Sequence, residues 1–405
     1  MTAELKRSIS LPLITLYGLG TIIGAGIFVL IGKVAGEAGL YAPAAFLVAS
    51  VVAGFTAFSY AELSSRFPKS AGEAVYLEEA FHLRWFSKGT GLFIAVIGII
   101  SSATIVNGAI GYLQIFIALP DPIMIILLVF ALAMLAAWGI TESVAVAATT
   151  TLISIIGLLA VVIFNAENLI TLPERLPELI PPPEIGVWSA IVMGAFLAFY
   201  AFLGFEDMIN VAEEVNNPHR NMPLSIILTL IISTLLYLLI ATTAVLTLPA
   251  EQLAASHAPL VDLIGSDSRG YLVIAVISAT AVIDGALIQM IKSSRILYGM
   301  SRQQMLPAIF GEVHPVRRTP LTATATVAVI VMIAALALPL ITLAKITSFI
   351  TLTLFAVVNL ALWRIKLNHH EAHAGIDIPV WIPVSGFLLC TLFVSVQFFA
   401  LFRHP

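Results

Sequence analysis

The feature that most constrains this chain is the length of its charge-free stretches. Segments without Asp, Glu, Lys, Arg or His run over 8–32, 38–61, 89–120, 122–141, 143–166, 185–205, 221–250, 319–344, 346–363 and 378–402. About 20 apolar residues rising 1.5 Å each cross a hydrocarbon layer of about 30 Å. Each stretch is therefore long enough, or nearly so, to span a bilayer. An eleventh candidate, about 270–300, is helical in pattern but carries Asp284, Lys292 and Arg295. Backbone polar groups in lipid must be satisfied within their own segment, so the spans are read as helices. The expectation is an all-α integral membrane protein with about eleven transmembrane helices.

Composition closes off the soluble classes. Only 10% of the 405 residues are charged and 60% are hydrophobic, against about 25% charged in a soluble domain. Nineteen basic and 23 acidic residues, net −4, leave no basic footprint for a nucleic acid. The single cysteine, Cys390, excludes an internal disulfide and reads as a buried small hydrophobe. The apolar run after Arg7 exceeds the 7–15 residues of a secretory signal core, so it is read as a retained first span.

Basic residues orient the chain. With the N-terminus inside, the inner loops hold Lys6, Arg7, Arg66, Lys69, Arg84, Lys88, Arg220, Arg302, Arg317, Arg318, Arg364 and Lys366. The outer loops hold Lys33, Arg175, Arg269 and Arg403, with Lys345 near a helix start. That is a positive-inside bias, expected of the cytoplasmic membrane, and eleven spans put the C-terminus outside. The inner segment after the second span offers Tyr76, Leu77, Phe81, Trp85 and Phe86 as apolar anchors for a helix along the interface. The outer segment from Asn165 to Gly186, with five prolines before Glu184, reads as an extended lid or linker.

Two spans are built to break. In GLGTIIGAGIF, Gly18, Gly20, Gly24 and Gly26 crowd the first span. Unwinding at Gly24-Ala25-Gly26 frees N–H and C=O groups that only a protein-lined cavity tolerates. The same glycines equally suit close helix packing. In the sixth span Gly204 precedes Glu206 and Asp207 after an aromatic run. An intramembrane carboxylate costs at least about 2.5–3.5 kcal/mol and faces a cavity or a partner. Each interrupted span opens a set of five, and half-helix N-termini favour anions. The division expected is 1–165 for a first five-helix repeat, 166–186 for an outer linker, 187–365 for a second repeat and 366–405 for an inner loop with a peripheral eleventh helix.

GTIIGAGIF, YAELSSRFPKSAGEAVYLEEAF, FYAFLGFEDMINVAEEVNNPHRNMP and SSRILYGMSRQQMLP, in this order over most of the chain, resemble the amino acid–polyamine–organocation transporter family, in particular its bacterial amino acid permeases. The resemblance implies the LeuT-type fold, a five-plus-five inverted repeat with discontinuous first and sixth helices. It implies that amides of Ala25, Gly26 and Ile27 hold an amino acid carboxylate. Carbonyls of Ile22, Tyr200, Ala201 and Leu203 would accept from its ammonium, and Tyr200 or Phe202 would gate the site. Specificity would fall to Ser101, Ser102, Thr104, Asn107, Gln289, Ser348 and Thr351, whose mostly neutral character favours a neutral amino acid. Two departures stand out. Where some proton-coupled members carry a fifth-span lysine, this chain has Ser154, and it has eleven spans where many relatives have twelve.

Coupling is sought among the buried charges. Asp284 and Lys292, eight residues apart, are about 12 Å apart along a helix and too far for a direct pair. Lys292 is expected to snorkel toward the inner face. Glu206, Asp207 and Asp284 are the candidate proton carriers; Ser154 and Thr280 keep sodium chemically open. His369, His370 and His373 fall in a solvated loop and no metal site is expected. No phosphate-binding GxxxxGK[ST] loop occurs, and no cofactor or enzymatic activity is expected. The function expected is a secondary active carrier for amino acids, neutral ones favoured, working by alternating access and coupled to a proton. The alternatives are an exchanger for cationic substrates or polyamines, and a membrane sensor that binds without transporting.

Overall fold

Every charge-poor stretch becomes helix in the computed structural model, which describes residues 7–69, 72–138, 144–266, 268–314, 317, 319–368 and 375–403. The first span is two helices, α1 (Leu11–Ile22) and α2 (Ala25–Ala38), followed by α3 (Ala42–Arg66). The short α4 (Gly72–Phe81) leads to three spans, α5 (Arg84–Leu113), α6 (Asp121–Trp138) and α7 (Val144–Phe164). Two short helices, α8 (Ala166–Ile170) and α9 (Leu172–Leu179), precede the sixth span. That span begins as α10 (Ile185–Phe199) and ends in 3-10 turns at Tyr200–Phe202 and Phe205–Glu214. There follow α11 (Pro218–Thr247), short α12 (Ala250–Ala255) and α13 (Pro259–Asp262), then α14 (Tyr271–Arg302), α15 (Leu321–Ala337), α16 (Leu340–Asn368) and α17 (Trp381–Arg403). Among the described residues, nine helical stretches have the length and apolarity to cross a membrane, and α1 and α15 are shorter apolar helices. One of the nine, Ala25–Arg66, contains both α2 and α3. Joining α1 to α2 therefore gives the expected eleven crossings.

The helices pack through small residues, as association within lipid requires. α14 lies along α5, α11 along α3, and α10 between α2 and α3. Gly20 of α1 is so close to α7 that an added β-carbon would lie 2.2 Å from the Thr151 hydroxyl. α17 packs on α16 and α3, where Asn359 donates to the Thr56 hydroxyl at 2.8 Å and Ser59 donates to Asn359 at 2.6 Å. Cys390 is buried beside Thr56, as a small core residue.

Span alternation puts α4 on one face of the bundle and α8, α9, α12 and α13 on the other. On the α4 face, Ile9 bridges Val215 in parallel, tying the start of the first span to the end of the sixth. Glu62 at the end of α3 is fully buried. It accepts from Arg66 at 2.8 Å, from Lys366 of α16 at 2.7 Å and from the Ile378 amide at 2.9 Å. Asp377 also pairs with Lys366.

Two local expectations need correction. The outer proline-rich segment is not extended: it holds α8 and α9, with Pro177 inside α9. Its Arg175 donates to the Leu246 carbonyl at 3.2 Å, so the segment caps α11. Tyr76 and Leu77 of α4 are not lipid anchors, because both are buried in the protein; the side chains of Trp85 and Phe86, and the histidines at 369, 370 and 373, lie outside the described residues. α14 runs unbroken through its polar positions, as the eleventh expected span, and its buried lysine finds a partner.

Candidate functional site

The two broken spans meet. α1 ends at Ile22 and α2 restarts at Ala25, with Ile23 extended between them. Gly24 caps α2 without a side chain, and the first backbone bond of the new helix is Phe28 N–H to the Gly24 carbonyl at 3.2 Å. The amides of Ala25, Gly26 and Ile27 therefore have no partner within α2, which is the general condition of a helix start. Together with the helix dipole they make a place for an anion.

The sixth span breaks opposite. Leu203 is extended and Gly204 adopts φ 129, a conformation that side chains resist. The Gly204 carbonyl accepts from the Thr21 hydroxyl at 2.9 Å, which joins the two breaks. The Gly204 amide donates to Glu206 Oε2 at 2.8 Å. Glu206 thus braces the break by satisfying an amide that the unwinding freed. A β-carbon on Gly204 would lie 2.3 Å from the Thr21 carbonyl oxygen, and one on Gly26 would lie 2.3 Å from Ala201 Cα. Only glycine lets the breaks approach this closely.

Side chains from other spans close around this centre. Tyr237 of α11 donates to the Ile22 carbonyl at 2.9 Å. The Tyr200 and Ser101 hydroxyls share a bond of 2.9 Å, linking the sixth span to α5. Phe202 instead packs edge-on to Tyr237 and Phe46, with centroids 5.2 and 6.5 Å away, and belongs to the core. Of the two aromatic candidates, Tyr200 is thus the one that bridges to a neighbouring span by a hydroxyl. On α16, Ser348 and Thr351 are buried with hydroxyls that have no protein partner, as is Gln289 Oε1 on α14. Ser102 and Asn107 are engaged with the Ala286 and Leu338 carbonyls, and Thr104 with its own helix.

The coupling candidates separate. Lys292 donates from α14 to Asp207 Oδ1, and neither side chain is more than 14% exposed. Lys292 is therefore a buried partner of the sixth span, contrary to the snorkelling expectation. Asp284, two turns back along α14, is half-buried. Ser154 donates to the Thr150 carbonyl of its own helix at 3.0 Å. Thr280 is exposed and bonded to the Val276 carbonyl of its own helix. Among the described residues, no three His, Cys, Asp or Glu side chains gather as a metal cluster would.

One participant was not legible in the sequence. Glu73 of α4 is 5% exposed and accepts from the Tyr60 hydroxyl at 3.5 Å. Tyr60 in turn packs edge-on against Phe205, beside the sixth-span break, with centroids 5.6 Å apart. A Glu three residues before a buried Tyr was the only sequence signal.

Comparison with known proteins agrees with this geometry. The family model described as "Amino acid permease" matches residues 9–403. The branched-chain amino acid permease BcaP of Bacillus subtilis (strain 168) is 29% identical, covering 96% of this chain and 88% of that protein. The methylthioribose transporter of the same organism is 28% identical, covering 94% and 86%. The vacuolar cationic amino acid transporter 4 of Arabidopsis thaliana is 29% identical, covering 82% of this chain and 58% of that protein. With two interrupted spans meeting inside an all-helical, multi-pass membrane bundle, the chain belongs to the amino acid permease family and has its LeuT-type fold.

Proposed function

We propose that the protein is a secondary carrier that moves neutral amino acids across the cytoplasmic membrane by alternating access, coupled to a proton. The observation that carries this reading is the uncapped start of α2 facing the unwound Leu203–Gly204. One break offers amides for a carboxylate and the other offers carbonyls for an ammonium, the two groups every free amino acid has. The proposed binding set is Ile22, Ala25, Gly26, Ile27, Tyr200, Ala201, Leu203 and Gln289. Phe202 contributes packing behind Tyr200.

A neutral substrate is supported by the charges that are already engaged. Asp207 is paired with Lys292 and Glu206 accepts from the Gly204 amide, so neither is a ready counter-ion for a cationic side chain. The name of the Bacillus permease points the same way. Cationic substrates are favoured instead by the plant relatives, whose names specify them. The five-plus-five division at 1–165 and 187–365, with 166–186 as linker and 366–405 as a peripheral addition, follows from where the two breaks fall. A cytoplasmic α4 face is supported by the excess of basic residues in its loops.

Uptake into liposomes holding the purified protein tests the proposal. Radiolabelled leucine should accumulate when the outside is acidic and should not require sodium. Arginine accumulation without leucine accumulation would favour the cationic reading. Binding without accumulation of either would identify a sensor.

A further inference from the structure

Beneath the sixth-span break lies a buried charge cluster that no role in substrate binding explains. Glu73 from α4, Glu206 and Asp207 from the sixth span and Lys292 from α14 are all buried or nearly so. Fully ionised, three carboxylates and one ammonium would carry net negative charge in a water-poor interior, which is costly without further partners. Two of the carboxylates are provided for: Asp207 has Lys292, and Glu206 has the Gly204 amide. Glu73 has the long 3.5 Å contact from Tyr60 and a bond from its own backbone amide, and among the described residues no cation forms an ion pair with it.

The surroundings add a second observation. Asp207 Oδ2 and the Tyr76 hydroxyl are both buried with no partner among the described residues. Asp207 Oδ2 thus has no donor, while the Tyr76 hydroxyl, beside Glu73, is open to accept from a protonated carboxyl. Facing Glu73 are Tyr60 of α3, Tyr76 of its own helix, Asp207 of the sixth span and Lys292 of α14. On α16, Arg364 stands over the Phe81 ring, at the far end of α4. Glu78 and Glu79 lie on the exposed side of α4. Burial, reinforced by Asp207 and opposed by Lys292, pushes the Glu73 carboxyl up to about 7.

We infer that Glu73 is a proton-binding site of this carrier, loaded from the α4 face and read by the Asp207–Lys292 pair. In the loaded state a proton from water on that face resides on the Glu73 carboxyl. Lys292 then belongs to Asp207, and α14 holds the 3-10 half of the sixth span. On release the proton returns to water, and the Glu73 carboxylate competes with Asp207 for the Lys292 ammonium. That competition loosens the sixth span from α14, the kind of two-state element through which a small charge change moves a helix. The inference rests on the proton-coupled reading above for its use in transport, but not for the existence of the site.

Infrared pH-difference spectra of the purified protein, from about pH 5 to about pH 9, test it without any substrate. The expected result is a protonated-carboxyl band that disappears near neutrality in the wild type and loses its Glu73 component in Glu73→Gln. In Tyr60→Phe, which keeps the ring but removes the donor to the carboxylate, the same transition should move to higher pH. A near-neutral band undiminished in Glu73→Gln, or its absence from the wild type, would overturn the inference. Uptake distinguishes the wider reading. One coupled proton supports about tenfold accumulation per pH unit of gradient, and Glu73→Gln should reduce this to equilibration. Wild-type uptake indifferent to pH, with the Glu73 band present, would overturn proton coupling and leave the site standing.

Discussion

A β-carbon added to Gly26 would lie 2.3 Å from the Cα of Ala201, closer than real β-carbons approach. The start of α2 and the end of the regular part of the sixth span are thus in backbone contact, at the point where both spans lose their helical bonding. Gly26→Val is expected to abolish uptake, because the obstructing atom is main chain and cannot turn aside. Membrane insertion should survive, since the span remains apolar. Uptake measured beside the yield of detergent-stable protein checks both halves of the expectation.

The Asp207–Lys292 pair allows a double-mutant cycle. Removing one partner strands a buried charge, a loss of about 3–5 kcal/mol in buried pairs. Asp207→Asn and Lys292→Met should each lower the thermal unfolding midpoint markedly. The double variant should be more stable than the sum of the two losses predicts, because it strands nothing. Additive losses would show that the pair is not coupled.

Glu62 is expected to be the most sensitive carboxylate for stability on the α4 face. It is fully buried and takes bonds from Arg66, Lys366 and the Ile378 amide. Glu62→Gln leaves two cations without their main partner and should destabilise by several kcal/mol, on the order of 3. Its effect should be visible as earlier exposure of α16 and α17 in hydrogen exchange, since Glu62 holds their connection to α3.

Glu73 makes stability depend on pH. Its folded carboxyl is pushed up to about 7, while in the unfolded chain it titrates in the ordinary carboxylate range. The folded state therefore holds the proton more tightly, and the stabilising contribution is fully present below the ordinary range. It is lost as pH rises through about 7. Thermal midpoints should fall over that interval in the wild type, and Glu73→Gln should flatten the fall. A wild-type midpoint that rose over the same interval would contradict this sign.

The breaks themselves could be read from the chain because their causes are local. Four glycines crowd α1 and the start of α2, and Gly204 stands directly before two acids; each is a departure from what a spanning helix tolerates. The pairing of Asp207 with Lys292 could not be read, since 85 positions separate them and only packing of α14 on the sixth span joins them. Lys292 taken alone fits a snorkelling residue, and that is the role the sequence suggests. Glu73 was hidden for a related reason: on an amphipathic segment a glutamate reads as solvated, and its burial follows from how α4 tucks Tyr76 and Leu77 inward. The prolines of the outer segment misled in the opposite direction. Pro173 sits at the start of α9, where no amide is needed, and Pro177 is accommodated within its short span.

Competition against radiolabelled leucine uptake bears most directly on the claim that the two breaks hold an amino acid by its two ends. Leucine, leucinamide and N-acetylleucine share one side chain but differ in which charged end they keep. Unlabelled leucine should compete, while the amide, lacking the carboxylate for α2, and the acetylated form, lacking the ammonium for the sixth-span carbonyls, should not. Equal competition by leucinamide would contradict the account, for it would mean that the free amides of Ala25, Gly26 and Ile27 are not where the substrate carboxylate is held.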